Sequence, residues 1–401
     1  MERIVVVGAG QAGASLVARL RANGHQGPVT LIGAEPVPPY QRPPLSKKYL
    51  LGEMALERLY LRPESHYAEN AIDLRLNETV TGIDRQGREV TAGGRQLGYD
   101  RLVLATGSVP RRLPARIGGD LAGVHVVRSL ADADAMAPDF VAGRHVLIVG
   151  GGYIGLEAAA VAAMKGLKVT LVEAADRILG RVACTETADW FRNLHRRHGV
   201  DIREGTALER LTGNGRVTGA VLGDGTELSV DFVIVGVGIT PDTSLAEAAG
   251  LAVDNGIAVD AHGRTDDPAI RAAGDCASFP HDGGRLRLES VPNAIDMAEC
   301  VADNLCGRDT PYVPRPWFWS DQYDVKLQIA GLGAGHDRVV VRDAGRARSH
   351  WYYRGDRLLA VDAMNDPRAY MVGKRLIEAG RSAPPGSVTD PETNLKSLLR
   401  G

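Results

Sequence analysis

Gly8, Gly10 and Gly13 stand in G-x-G-x-x-G spacing at the end of a short β-branched run, residues 3–7, and Gly150, Gly152 and Gly155 repeat the spacing after residues 144–149. Each run reads as a buried parallel strand that passes straight into an alanine-rich helical pattern. In such a unit the first glycine permits the tight turn and the second lets a pyrophosphate approach bare backbone. The third lets helix and strand pack closely, and the helix N-terminus faces the phosphates. Each copy has its second half. Residues 29–32 and 168–172 read as the following strands, and they lead to Glu35 and Glu173, acids placed to accept hydrogen bonds from a ribose. Two complete fingerprints on separate strand-helix-strand units predict two bound dinucleotides.

The elements that must hold these loops fit a chain of 401 residues with 44% hydrophobic and 24% charged content, enough for two or three domains. A formal net charge of −2 argues against a nucleic-acid binder. No apolar run approaches the roughly 18 residues that a membrane helix needs. The first strand starts within four residues of Met1, and the four cysteines (Cys184, Cys276, Cys300, Cys306) lack the density of a disulfide framework. A soluble, cytoplasmic protein is expected, with no nucleic-acid or membrane partner. No C-x-x-C spacing points to a metal site or an iron-sulfur cluster in this chain.

The first helix is predicted from about Gln11 to Ala22, ending at Asn23-Gly24. The proline-dense stretch 36–48 excludes strand and helix and predicts a rigid, extended loop, with Arg42 and Lys47 available to grip a cofactor. A strand over 99–104 ending in Ala105-Thr106-Gly107 is echoed by 230–235 ending near Gly238, and both follow a hairpin. This echo predicts that the second nucleotide domain is inserted in the first. The expected domains are 1–113 with 237–312, then 114–236, and a C-terminal α+β domain at 313–401. Further along, Gly274-Asp275-Cys276 forms a turn, and Val291-Pro292 opens a helix through about Leu305, with proline where a missing N–H costs nothing. Beyond Thr310 a proline-rich linker leads to the aromatic stretch 317–323. Antiparallel strands are expected near 328–330, 337–342, 350–353 and 358–362.

Taken together, the two nucleotide folds, the P-P-Y-Q-R-P-P-L-S-K loop, A-T-G, G-D-C-A, E-S-V-P-N-A and P-W-F-W-S-D-Q resemble the FAD-dependent, NADH-oxidising ferredoxin reductases of bacterial monooxygenase and dioxygenase systems. The resemblance covers nearly the whole chain. It implies the glutathione-reductase-like flavoprotein fold: α/β, with two Rossmann-like dinucleotide-binding domains and a C-terminal α+β domain. It also implies FAD in the first domain, NADH in the second, and a small [2Fe-2S] ferredoxin as acceptor, serving a terminal oxygenase such as a cytochrome P-450.

Carried over residue by residue, Gly8, Gly10, Ala12 and Gly13 would lie under the FAD pyrophosphate, and Lys47 would lie beside the flavin. Val80 and Arg128 would contact the adenine side and the domain connection. Asp275 would bind the ribityl chain and Val291 the pyrimidine edge of the isoalloxazine, with Ala105, Thr106, Gly107 and Gly274 lining the site. Several relatives have Asp where this chain has Ala34, which leaves ribose binding to Glu35. Gly150, Gly152, Tyr153, Ile154, Gly155, Glu173 and Gly238 would form the NADH site, with Tyr153 at the nicotinamide entrance. The resemblance implies that Lys47 and Glu157 form a buried pair near flavin N5, and a carboxylate one turn into an alanine helix is better explained with a partner than as a solvated charge. Trp319 is the candidate for flavin contact on the electron-exit side.

Glu173 favours NADH, because a carboxylate there accepts from a free 2′-hydroxyl and repels a 2′-phosphate, although Arg177 and Arg181 lie nearby. With no cysteine before Cys184, the chain lacks the thiol pair of the disulfide reductases, so electrons are expected to pass singly from flavin to an outside acceptor. Residues 313–401 carry 14 Lys and Arg against 10 Asp and Glu, a net of +4 that suits an acidic ferredoxin in a transient, electrostatic encounter. The other readings are a Rieske-type dioxygenase reductase, an NADH oxidase or peroxidase of the same fold, and a nucleotide-binding flavoprotein without turnover.

Overall fold

The computed structural model describes residues 1–400. Those residues form two compact units: Met1–Gln41, Ala55–Val109 and Ile239–Pro316 in one, and Arg42–Met54, Pro110–Gly238 and the chain from Trp317 onwards in the other.

In the first unit, five parallel strands run in the order Ile270–Ala272, Arg101–Leu104, Ile4–Val7, Val29–Ile32, Ile72–Arg75. The central strand is buried on both faces, which is why it reads as an unbroken apolar run rather than an alternation. The outermost strand, Ile270–Ala272, comes from the far side of the insertion. The chain must return after residue 239 to complete this sheet. The helix Gln11–Ala22 follows the glycine loop, and its last turn is held to the helix Val291–Leu305 by Arg19, which donates to both oxygens of Asp303 at 2.7 and 3.0 Å. That bond holds the Asp303 carboxyl down to about 2.

The second unit repeats the plan. Its parallel strands lie in the order Asp201–Arg203, Lys168–Val172, His145–Val149, Phe232–Val235, Val124–Val126. It also contains a five-stranded antiparallel sheet, Trp317–Gln322, Val325–Gly331, Arg357–Met364, Ala347–Arg354, Arg338–Ala344, with the helix Pro367–Glu378 against it.

The first unit is discontinuous, resuming at Ile239, and the second takes in the C-terminal sheet together with the second nucleotide fold. Val325, Leu327 and Met364 of the C-terminal sheet share one apolar core with Val146, Leu156 and Phe191 of the second nucleotide fold, so the two form a single unit.

Two local expectations are corrected. Within the proline-dense stretch, Pro43–Ser46 is a 3-10 helix and Lys48–Leu51 a short α-helical turn. Proline occupies the opening turn, where its fixed φ fits and no N–H is required. The aromatic segment Trp317–Gln322, expected only as a texture change, is an edge strand paired along its length with Val325–Gly331.

Candidate functional site

In the first unit, Gly8 has φ +113°, and a β-carbon there would come within 2.1 Å of the Ala105 carbonyl oxygen. At Gly13 it would lie 2.0 Å from the Gly8 oxygen. Both glycines are therefore required by the fold. Gly10 differs, because a β-carbon there would meet no atom within 4 Å. It caps the helix Gln11–Ala22, and no side chain caps that helix. The second glycine thus fronts open space at a helix N-terminus, as a pyrophosphate site requires.

Around this cradle stand the other expected residues. Tyr40 donates to Glu35 Oε2 at 2.6 Å, fixing the carboxylate at the end of the second strand. Val80 is buried at the start of the strand Val80–Asp84. Ala105 lies under Gly8. Thr106 Oγ1 donates to the Asp242 carbonyl at 2.6 Å, and Gly107 takes φ +74°. Gly274, at φ +83°, has space for a β-carbon only 3.0 Å from Ala12 Cβ, which brings its turn against the glycine loop. In that turn Asp275 accepts from Ser108 Oγ at 3.0 Å. Cys276 is fully buried, its Sγ 3.5 Å from the Leu104 and Ala273 carbonyl oxygens, and burial pushes its thiol up: it is a packed side chain. Val291 opens its helix behind Ser290, which accepts from the Asn293 N–H at 3.3 Å.

The second glycine loop has the same geometry. A β-carbon at Gly150 (φ +109°) would lie 2.4 Å from the Gly236 oxygen, and at Gly155 2.1 Å from the Gly150 oxygen; at Gly152 it would meet nothing within 4 Å. No side chain caps the helix Tyr153–Met164, and Ile154 is exposed in its first turn. Glu173 accepts from the Gly151 N–H at 2.7 Å and from the Ala175 N–H at 2.8 Å. Arg177 spends its guanidinium on carbonyls of its own loop, Ala183 at 2.8 Å among them, whereas Arg181 is exposed near Gly238, which takes φ +101°. The Tyr153 ring lies 4.9 Å from that of Phe318, and its buried hydroxyl has no hydrogen-bond partner.

Lys47, Glu157 and Trp319 come together in the second unit. Glu157 is 3% exposed, and its Oε1 lies 3.0 Å from Lys47 Nζ. Ser320 Oγ donates to that oxygen at 2.7 Å, and Ser46 Oγ donates to Oε2 at 2.8 Å. Burial raises the proton affinity of this carboxyl, opposed first by the Lys47 charge and then by these hydroxyls. Lys47 Nζ stands 6.0 Å from the centre of a Trp319 ring, and Trp319 stacks on Trp317 at 5.5 Å. Arg42 Nη1 donates to the Arg128 carbonyl at 2.7 Å. Sequence reasoning gave no role to Ser46 or Ser320. Both sat inside quoted motifs, but nothing local ties them to Glu157.

A second buried polar group has a measurable signature. Asp362 Oδ2 accepts from the Thr187 hydroxyl at 2.7 Å and from Tyr352. Thr187 has only that hydrogen to give, so His350 donates to it from Nδ1 at 2.7 Å and accepts from Arg348 Nε at 2.9 Å through Nε2. Burial pushes Asp362 up to about 6, so its contribution to stability is present below about pH 4 and lost as pH rises through 6. Burial pushes His350 down to about 3 and His195 to about 4. Their contributions are present above the ordinary histidine value of about 6.5 and lost as pH falls through 4. Over this range the histidines that burial lowers, His25 and His145 among them, oppose the carboxyls of Asp362 and Glu157. Thermal melts should show stability falling from pH 6.5 to 4.5, and Asp362→Asn should steepen that fall.

Among the described residues no helix is long and apolar enough to cross a membrane, and no group of His, Cys, Asp and Glu could hold a metal. Residues 2–298 match the pyridine nucleotide-disulphide oxidoreductase family, and residues 317–399 match the reductase C-terminal family. The chain is 46% identical to a ferredoxin–NAD(P)(+) reductase of Sphingomonas sp and 42% identical to putidaredoxin reductase of Pseudomonas putida, in both cases over 99% of this chain and 97% of the relative. It is 38% identical to the ferredoxin–NAD(+) reductase component of a p-cumate 2,3-dioxygenase system of Pseudomonas putida, over 99% and 98%. The covalent putidaredoxin reductase–putidaredoxin complex superposes with a TM-score of 0.96 at 41% identity, covering 100% of this chain and 98% of that one. A ferredoxin reductase for the CYP199A2 system of Rhodopseudomonas palustris gives 0.95 at 39%, covering 99% of both chains. The cofactors are FAD and NAD(H), and the open second glycine of each loop fits a dinucleotide pyrophosphate. The chain belongs to the pyridine nucleotide-disulphide oxidoreductase family, among its FAD-dependent ferredoxin reductases of oxygenase systems.

Proposed function

We propose that this reductase passes electrons from NADH, by way of FAD, to a [2Fe-2S] ferredoxin that serves a cytochrome P-450 monooxygenase in the cytoplasm. The observation that carries the P-450 reading is the full-length likeness to the putidaredoxin reductase–putidaredoxin complex, joined by the reductase of a CYP system. When bound, FAD supplies the exchange between a two-electron hydride donor and a one-electron acceptor. The chain's own residues bind and orient. The loop Gly8 to Gly13 would hold the FAD pyrophosphate and Glu35 its ribose, while the loop Gly150 to Gly155 and Glu173 would do the same for NADH. Lys47, its charge balanced by Glu157, would offer a cationic donor to the flavin, as the family resemblance implies. The helix opening at Val291 would offer its positive end to bound FAD and so favour negative charge on it. No cysteine precedes Cys184, which supports transfer to an outside acceptor without a thiol relay.

The deciding experiment adds NADH to the yellow holoprotein and follows flavin absorbance and oxygen. Rapid bleaching without steady oxygen consumption, then turnover only when ferredoxin is supplied, is expected. Steady oxygen consumption without ferredoxin would identify an oxidase instead. Comparing ferredoxins from a P-450 system and a Rieske dioxygenase system tests the finer reading. Preference for the second would transfer this chain to the group of its p-cumate relative.

Coenzyme choice rests on Glu173. Glu173→Ala should weaken NADH and relax discrimination against NADPH, since it removes a ribose acceptor and a repelling charge. It also strips the Gly151 and Ala175 N–H groups of their acceptor, so Glu173→Gln is the cleaner probe: it keeps an acceptor and loses the charge. Unchanged kcat/KM for both coenzymes in both variants would remove Glu173 from the site.

A further inference from the structure

Beyond Ser320 the contacts of Glu157 continue. Gln322 Nε2 lies 3.1 Å from Ser320 Oγ, Gln322 Oε1 lies 2.7 Å from His195 Nε2, and His195 Nδ1 lies 3.0 Å from the Tyr323 hydroxyl. Gln322 is 1% exposed, His195 and Ser320 not at all. The direction of every bond follows from its inner end. An ionised carboxylate only accepts, so Ser320 spends its single hydrogen on Glu157 and must accept from Gln322. The amide then presents its NH2 to Ser320 and its carbonyl to His195. His195 must therefore donate from Nε2, which leaves Nδ1 bare to accept from Tyr323. All four donors point toward Glu157, and bonds aligned this way polarise one another.

We propose that His195 is a positioning residue for Glu157, acting through Gln322 and Ser320 to keep the carboxylate ionised against Lys47. His195 touches no reacting group in this arrangement. It acts by fixing which way the Gln322 amide faces, and thereby which way the Ser320 hydroxyl points. With the amide reversed, an oxygen would face Ser320 and compete for its hydrogen, and Glu157 would lose a donor while remaining buried. Among the described residues, the charged and titratable groups facing this chain are Lys47 and Asp321 at the inner end and Tyr323 and His198 at the outer end. Lys47 Nζ is 3.7 Å from Asp321, and the His198 ring stacks on Tyr323 at 3.7 Å. His195 stays neutral near pH 7, because burial lowers its proton affinity, as the single Nε2–H tautomer requires.

The kinetic arm of the test rests on the reading that Lys47 and Glu157 stand beside the flavin; the spectroscopic arm does not. In histidine-labelled holoprotein, nitrogen NMR should show a neutral Nε2–H histidine across pH 6 to 8 whose signal disappears in His195→Gln. An Nδ1–H tautomer would reverse the chain and overturn the proposal. His195→Ala should raise the apparent pKa seen in the pH profile of NADH-driven flavin reduction by about one unit, a tenfold change in carboxyl protonation. His195→Gln, whose amide can donate at the Nε2 position, should restore it. Gln322→Glu should shift the profile the same way as His195→Ala while keeping the histidine in place, and so serves if the alanine variant folds poorly. Equal profiles for His195→Ala and His195→Gln would overturn the proposal. If Glu157→Gln itself left flavin reduction and its pH profile unchanged, the failure would lie in the placement of the Lys47–Glu157 pair, and the tautomer would still decide the direction of the chain.

Discussion

Lys47→Met should destabilise the folded protein by roughly 3–5 kcal/mol, the usual cost of stranding one member of a buried ion pair. Glu157 is 3% exposed, and without the ammonium it would keep only the Ser46 and Ser320 hydroxyls as donors. Its proton affinity, already raised by burial and held back chiefly by Lys47, would climb further. A carboxyl raised in this way is stable when protonated, so the loss should be small at low pH and grow as pH rises, visible as a pH-dependent gap in melting temperature from the wild type. The double variant Lys47→Met with Glu157→Gln should recover most of the lost stability, because an uncharged amide can still accept from one serine. It should not recover flavin reduction by NADH if Lys47 acts beside the flavin. A single variant as stable as the wild type at pH 8 would mean that water reaches Glu157 and that the pair is not enclosed.

The glycine loops were legible in the sequence because their cause is local. Gly8 and Gly150 need positive φ, and Gly13 and Gly155 need the absence of a β-carbon, each against backbone of its own strand-helix unit. The open position at Gly10 and Gly152 follows from the same spacing. The Lys47–Glu157 pair was legible by a different route: the family resemblance suggested it, and a carboxylate among alanines calls for some partner without saying which. What completes it was not legible. Ser46 is 111 residues from Glu157 in the chain, Ser320 is 163 away, and the His195–Gln322 contact spans 127. No periodicity or propensity joins residues across such distances; only packing of the Pro43–Ser46 turn and of the C-terminal sheet on the second nucleotide fold does. The proline-dense loop misled for a physical reason too. Prolines forbid a helix interior but favour a first turn, and Pro43 and Pro44 sit in one. The strand Trp317–Gln322 was obscured by the linker prolines before it and by its place at a sheet edge, where pairing on one side relaxes the pattern.

Trp319→Ala should separate the arrival of reducing equivalents from their departure. NADH-driven bleaching of the flavin is expected to stay within about twofold of the wild type, while ferredoxin-dependent cytochrome reduction falls roughly tenfold or more, the loss typical of a buried aromatic anchor at an interface. The physical basis lies in the neighbours of Trp319. It is half-buried on an edge strand, stacked on Trp317, with Lys47 Nζ 6.0 Å from its ring. Removing the ring deletes an aromatic surface yet leaves the Lys47–Glu157 pair, the two serines and both glycine loops in place. Trp319→Phe should recover most of the acceptor rate, since a smaller ring still stacks. Salt supplies an independent axis. The segment from residue 313 onwards carries a net charge of +4, and attraction between exposed charges is screened beyond about 8 Å at physiological ionic strength. Raising salt should therefore slow ferredoxin-dependent reduction more than flavin bleaching, chiefly through the association rate. If bleaching and cytochrome reduction fell together in Trp319→Ala, and responded alike to salt, the tryptophan would be a structural prop for the Lys47 side chain. The acceptor side would then have to be sought elsewhere on the molecule.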